Sequence, residues 1–547
     1  MVTIKLLTPL YVGGEPGEDT NTLYILRGVN DKAYYPGTAF KGKVRYYARE
    51  FHDEACNFPN ACDCRVCKLF GGEGNARGSL FFSDLYSNDD QTTDLRTGNS
   101  IDRYRRVAKD EMLYSIETAD IRKLRGFITG SADDYDIRLL KNSIKLIKQI
   151  GGNTSRGLGW VVDDITLNEI QINERLDANF SGTAKQIHIS LKPVSPLLIG
   201  THTTQSNFRD TQCVIPGSVM RAAFARSICE IDGTSDASKE GIVNILPDDK
   251  LTLFPNMRNE LSKFHFSTLH TDIQKAPYPL TMRKCKFIKT HKKIDLLAAL
   301  LNGEDKSCPE CGGRLDKVEA FEDFFNSRDD LPKRTITSTH SEIDKFRGTT
   351  KDKRLYTIRA IAPGEVVFEG TVSGNIDLSE ISVLFQNKLR IGAKITSGFG
   401  ECEVDFEPVN EKLDDNLMDR IKKFIKLING RYLIPITLMS DAIVALNDPG
   451  DNEEYDYLGA YEYLFTPFKL EYAIVNTHIW RGFDTSVKGR VIDIQKYMLQ
   501  AGSVFVIKAD ITDDLVINKL IELERCGIGN NKEDGYGSIR IAHEAHI

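Results

Sequence analysis

The 547-residue sequence contains no apolar run near the roughly 20 residues that a membrane-crossing helix needs, which excludes a spanning segment of that kind. It also lacks an excess of positive charge. Lysine and arginine number 71 against 78 aspartates and glutamates, for a net charge of −7 and a pI near 5.9. Proteins that coat DNA or RNA diffusely are usually basic, so the balance counts against that mode but leaves room for a local basic groove. No serine–histidine–acid order, phosphate-binding P-loop or nucleotide-cyclising motif is present. The first residues, MVTIKLLTPLYVGG, read as a strand and turn without the long apolar core and small-residue cleavage site of a secretory signal, so the expected location is the cytoplasm. Hydrophobic content of 41% and charged content of 27% are those of a globular protein. At about 150 residues per domain the length implies three or four domains.

A glycine-rich signature occurs three times: GGNTSRGLGWVV at 151–162, GAKITSGFGECEV at 392–404 and GIGNNKEDGYGSIRI at 527–541. Each closes on glycine, a bulky residue and glycine, then runs into a β-branched stretch. Ahead of each lies an apolar pattern of helical period: Leu139, Leu140, Ile144 and Ile147; then Ile381, Leu384 and Phe385; then Leu515, Leu520 and Leu523. Three units ending in helix, glycine loop and strand are therefore expected. Single copies fit an ordinary αβ turn equally well.

The openings repeat too. IKLLTPLYVGG (4–14) and IHISLKPVSPLLIG (187–200) each suit a first strand, and YLIPITLMSDAIVAL (432–446) opens the third unit. A polar linker at 173–186 and a helical connector at 413–428 separate the units, giving domains at 1–172, 187–408 and 430–547. YYPGTAFKGKVRYYAREF (35–51) matches VIPGSVMRAAFARSI (214–228). Pro-Gly-Ser/Thr is a turn whose hydroxyl can cap a helix. Exposed N–H groups there, with Lys41, Lys43 and Arg45, or Ser218 and Arg221, suit a phosphate; a capped helix with a solvated basic face suits the same residues. A third block, IDRYRRVAKDEMLYSIE (101–117), matches 343–370; unit three keeps only fragments around Trp480, Arg481 and Phe483. Basic residues interleaved with aromatics on a hairpin, Arg103, Arg105 and Arg106 in unit one and Arg347 in unit two, could stack bases and hold phosphates, or form an exposed solvated hairpin. The fold class expected is α+β: tandem ferredoxin-like or RRM-like domains with zinc-knuckle and β-hairpin insertions.

Eleven cysteines, two groups of them tightly clustered, point to metal rather than disulfides. Cys56, Cys62, Cys64 and Cys67 follow His52 closely, and four soft ligands so near one another suit tetrahedral zinc; reduced, metal-free thiols are the other reading. Cys308 and Cys311 form a second knuckle, with Cys285 the best third ligand and His291 a weaker fourth. Cys213, Cys229, Cys402 and Cys526 read as small buried hydrophobes.

Taken together, these blocks resemble the RAMP superfamily, the RNA-binding subunits of CRISPR effector complexes. Unit one is similar to the type III (Csm/Cmr) backbone subunit through its Pro-Gly helix, its cysteine cluster, GSLFFSD (78–84), the hairpin block and the glycine loop. Units two and three are similar to a type III-D cap subunit that grips the 5′ handle of the guide. The resemblance implies backbone contacts to guide RNA by Arg156, Lys394 and Arg481 as well as the basic residues above, and a thumb hairpin that kinks the guide–target duplex. It implies partners: guide RNA, target RNA, and the large, backbone and small effector subunits, with no membrane. It implies structural zinc near His52, leaving open which four of five candidates bind.

Type III backbone subunits cut target RNA with an aspartate in the loop after the first strand, using Mg²⁺ or Mn²⁺. Asp19 is the best match, although the usual Asp-x-Pro pattern is absent and counting back from Arg27 lands nearer Thr22. An acidic surface loop fits Asp19 as well. The alternatives are an endoribonuclease that processes the guide precursor, drawing on His202, His340 or His478, and a zinc-stabilised scaffold that only joins proteins.

Overall fold

The computed structural model describes residues 1–16, 21–28, 31–52, 62, 64–71, 78–163, 165–168, 182–200, 207–231, 254–304, 306–325, 334–343, 350–386, 388–409, 417–444, 457–484 and 492–547. The fold is mixed α+β, and the described residues form three large apolar cores. The first runs from Val2 to Ile165, the second from Ile187 to Val404, and the third centres on Leu417 to Ala542.

Each core sits under an antiparallel sheet with the opening strand in its interior. In unit two, Thr183–Pro193 lies between Phe368–Asp377 and Glu401–Pro408, with His265–Phe266 beyond the former and Leu389–Arg390 at the far edge. In unit three, Leu433–Leu438 lies between Val504–Lys508 and Ile539–Ile541, with Lys469–Ile474 outermost. Unit one has the smaller version, Val2–Lys5 between Lys123–Gly126 and Thr166–Leu167. Ile187, Ile189 and Leu191 alternate inward along the central strand of unit two, the period-two pattern of a sheet covered on one face.

The last helix of each unit starts on an aspartate. Asp133 caps Asp134–Lys145 in a capping box with Asp136; Asp377 Oδ1 accepts the N–H groups of Ser379 and Glu380; Asp513 caps Asp514–Cys526. A carboxylate there satisfies amides that have no partner within the helix and favours the positive end of its dipole. The glycine loops follow these helices as the repeat pattern predicts.

The connector helix, Leu417–Leu427, does not stand between units. Leu417, Ile421 and Phe424 enter the core of unit three, and Arg420 holds Glu524 through two bonds of 2.9 and 3.0 Å. The predicted linker also shortens, because its last residues, 183–186, already belong to the opening strand.

Candidate nucleic-acid interface, unit joints and metal centre

Three β-hairpins project from the three units. They are Thr92–Ile101 with Ala108–Asp120, Thr335–Ile343 with Thr350–Ile361, and Thr477–Asp484 with Ile492–Leu499. The third was visible in the sequence only as fragments. At the first tip, Asp102 Oδ1 accepts the N–H groups of Tyr104 (2.8 Å) and Arg105 (3.0 Å), and its carbonyl accepts that of Arg106 (2.8 Å). This turn fixes the backbone and leaves Arg103, Tyr104, Arg105 and Arg106 in solvent, Tyr104 completely so. Leu95, Ile101, Met112 and Leu113 along the same hairpin are also exposed. Such a surface offers cations for phosphates and flat or apolar faces for bases. The tips of the other two hairpins, with Arg347, lie outside the described residues, as do Asp19 and Cys56. The backbone of Arg481 pairs with Gln495 in the third hairpin.

The three glycine loops are the same structure. The N–H groups of Ile150, Ile391 and Ile528 donate to the carbonyls of Gly159, Gly400 and Gly537 (2.9, 2.8 and 2.8 Å). The N–H groups of those glycines donate in turn to the carbonyls of Pro9, Pro196 and Asp441, each in the turn after its unit's first strand. Between them runs one 3₁₀ turn, starting from a left-handed residue, Asn153, Lys394 or Asn531, and ending on Gly157, Gly398 or Gly535.

The second and third loops dock on the preceding unit. The Lys41 ammonium, buried on the Pro-Gly helix Gly37–Glu50, donates to the Thr396 carbonyl (3.2 Å). Arg221, in the matching place on Gly217–Ile231, donates to the Glu533 carbonyl (2.8 Å), pairs with Asp534 Oδ1 (2.7 Å) and lies over the Phe266 ring. A Cβ at Gly398 would stand 2.7 Å from Asp84 Oδ1, and one at Gly535 would stand 2.6 Å from the Phe266 carbonyl oxygen. Both glycines are buried at these joints. The helix starts are therefore closed by protein, which corrects the expectation of exposed N–H groups there. Nor does Thr38 cap its helix. Gly37 N–H instead donates to Asp84 Oδ1 (2.7 Å), from a residue 47 positions along the chain.

Burial pushes the Asp84 carboxyl up to about 7, against the Gly37 N–H and the Tyr86 hydroxyl, which both favour its charge. An unfolded aspartate titrates near 3.8, so the folded joint holds this proton more tightly. The stability it contributes is complete below the unfolded value and is lost as pH rises through 7. His340, at the same joint, is pushed down to about 4 by burial and by Lys394, and acts in the opposite sense as pH falls below 6.5. Asp84→Asn keeps an acceptor for Gly37 and cannot ionise. The difference in melting temperature between the variant and the parent should grow in the variant's favour from pH 4 to pH 8. A difference that stays constant with pH would contradict the assignment.

The other candidates divide by location. Lys43 is half-buried, and burial lowers its pKa. Arg45 donates to Cys67 Sγ (3.6 Å). Ser218 bonds the Tyr536 hydroxyl. Lys394 lies 5.3 Å from the centre of the Tyr356 ring, and Arg156 bonds and overlies Tyr114.

Cys285, His291, Cys308 and Cys311 converge, with ligand atoms all within 4.8 Å of one another. Cys285 and Cys311 sulfurs are 3.6 Å apart, close to the roughly 3.8 Å expected between two thiolates on tetrahedral zinc. Burial opposes ionisation of Cys285, yet N–H groups of Ile288 and Phe287 and the side chains of Cys311 and His291 bring its thiol down to about 7. The donor set fits zinc with no open position. Cys62, Cys64 and Cys67 form a second group; among the described residues, His52 is not part of it. Cys213, Cys229 and Cys402 are buried as expected, but Cys526 is exposed.

Two features escaped sequence reading. The insertion carrying the four-donor cluster straps unit two to unit three: Leu280 N–H donates to Gly502 O (2.7 Å), Arg431 donates to Leu301 O (2.7 Å), and Leu297 and Leu301 enter the third core. Between these units lies a cavity of about 570 Å³ lined by Asp210, Arg359, Asp441, His478, Asp534 and Tyr536 among others.

The sequence profile of the RAMP superfamily matches residues 3–162 and 190–403, more than half of the chain, and the protein belongs to that superfamily. A chain in the cryo-EM structure of the type III-B Cmr-beta bound to cognate target RNA is similar at 13% identity and a TM-score of 0.31, over 64% of this chain and 96% of that one. A second, from the same assembly bound to cognate target RNA and AMPPnP, has 13% identity and a TM-score of 0.33 over 61% and 93%. No curated protein matches the sequence. Among the described residues, no helix is long and apolar enough to cross a membrane.

Proposed function

We propose that the chain is a guide-RNA-binding subunit of a type III, III-D-like, CRISPR effector complex. Unit one serves as a backbone segment, and units two and three cap the 5′ handle of the guide. The observation that carries this reading is the first hairpin tip, where three arginines and a fully exposed tyrosine stand on a hydrogen-bonded turn in a superfamily unit. Each unit is read as ferredoxin-like, on the shared order of strands around the opening strand. Affinity on an acidic chain then comes from a few basic places rather than from overall charge. Zinc is proposed at both cysteine clusters, as a structural ion.

Replacing Arg103, Arg105 and Arg106 together by alanine should weaken guide binding about 10–100-fold near physiological salt. It should also reduce the slope of log affinity against log salt by about 2, because roughly three phosphate contacts on a single strand are lost. Unchanged affinity and slope would leave the hairpin a solvated ornament. Target cleavage is proposed at Asp19: cutting of guide-complementary RNA by the assembled complex should need Mg²⁺ or Mn²⁺ and be lost in Asp19→Ala.

A second reading, processing of the guide precursor, is favoured by one observation. His478 Nε2 lies 3.8 Å from Asp441 Oδ2, both on the wall of the cavity between units two and three. An acid–base pair of this kind can move a proton at a scissile ribose. Cutting of precursor RNA at one position in EDTA, lost in His478→Ala, would support it; no cutting in EDTA would remove it.

A further inference from the structure

The two internal joints define a plug and a socket. The plug is the 3₁₀ turn of a glycine loop. The socket is the buried start of a Pro-Gly helix, with a cation one turn in, beside the backbone at Phe82–Asp84 or Phe266–Thr268. The loop of unit two fills the socket of unit one, and the loop of unit three fills that of unit two. The remaining plug is the loop of unit one. A Cβ at Gly157 would meet nothing within 4 Å, whereas Gly398 and Gly535 are buried. Ser155 and Arg156 are exposed, where Thr396, Ser397, Glu533 and Asp534 are half-buried. Beside the loop, Trp160 is 44% exposed and Leu7, whose N–H donates to the Trp160 carbonyl, is 64% exposed. Large apolar side chains at the shoulder of an otherwise polar turn suit a protein partner better than a phosphate chain.

We infer that the unit-one glycine loop docks on the open Pro-Gly socket of a different protein carrying a RAMP unit, and that assembly extends from this chain in that direction. A second copy of this chain does not fit, because both of its described sockets are already filled from within. Among the described residues unit three offers none: the helix Tyr457–Glu462 is six residues long and has no lysine or arginine to reach a loop carbonyl. The inference deepens the reading of the protein as an assembly subunit, but it rests on the internal joints and superfamily membership rather than on RNA binding.

The test is a photo-crosslinking amino acid placed at Ser155 in the full chain within its native complex, with the same group at Ser397 as an internal control. The Ser397 form should crosslink to the start of Gly37–Glu50 of its own chain. The Ser155 form should crosslink, with or without nuclease treatment, to peptides around a Pro-Gly turn in another superfamily protein. Crosslinks to RNA alone, to a second copy of this chain, or to nothing while the control succeeds would overturn the inference. Ser155→Trp, at an exposed position, should reduce recovery of that partner at least tenfold while leaving the melting temperature and guide affinity unchanged. Loss of guide affinity with the partner retained would count against it, and would bear separately on the hairpin reading.

Discussion

Arg221→Ala is expected to open the joint between units two and three. The guanidinium is buried and donates to the carbonyls of Leu261 (3.1 Å), Phe264 (2.7 Å) and Glu533 (2.8 Å), besides its pairing with Asp534. Truncation leaves those acceptors and a carboxylate without their cation, and breaking a buried pair from one side costs about 3–5 kcal/mol. The loss should appear as a lower melting temperature and faster proteolysis of unit three. Arg221→Lys should recover part of it, because Lys41 performs the loop contact at the equivalent joint with an ammonium. Equal melting of the alanine variant and the parent would show that the loop is held to unit two by other bonds, such as that of the Thr268 hydroxyl to the Gly535 carbonyl.

The second large effect concerns the four-donor cluster. Cys308→Ser should lower the zinc content by one ion per chain and release the insertion from its knuckle. Structural zinc supplies about 10–16 kcal/mol in isolated finger peptides. Here the insertion keeps bonds of its own, including His546 Nδ1 to Asp295 Oδ2 at 2.9 Å, so the expected net loss is on the order of 3–5 kcal/mol. A strong chelator should reproduce the loss in the parent and change nothing further in the variant. Parent protein that carries no metal at this cluster and resists chelation would contradict the zinc proposal without touching the joints.

Both effects lie at places where local sequence says little. The glycine loops were legible because left-handed turns and close backbone approach restrict the residue choice at several neighbouring positions. The helices before them were legible because three- and four-residue spacing makes a stripe. The destination of the loops was not. A lysine or arginine one turn into a Pro-Gly helix looks the same whether it faces a phosphate or a carbonyl from another unit. Asp84 shows the same limit: it caps a helix from across the fold, while Thr38, the local candidate, does not. His291 read as a weak ligand because nothing near it in sequence marks it, yet it meets Cys308 Sγ at 3.2 Å once the insertion folds. The third hairpin was hidden because it lacks the Ile-Asp-basic-aromatic-Arg order shared by the other two, although its pairing from Thr477 to Leu499 is regular.

The glycine loops of units two and three therefore join units, and the proposed RNA binding is left to the hairpins and the faces beside them. On the proposed function, this division lets an acidic chain hold a nucleic acid at a few basic places, while the superfamily profile covers its first two units. The measurement that tests this most directly is extraction of nucleic acid from the native complex, followed by sequencing. The account predicts a short RNA of uniform 5′ sequence, in fixed ratio to the chain and lost from the Arg103/Arg105/Arg106 alanine variant. A fully assembled complex recovered without RNA would contradict it.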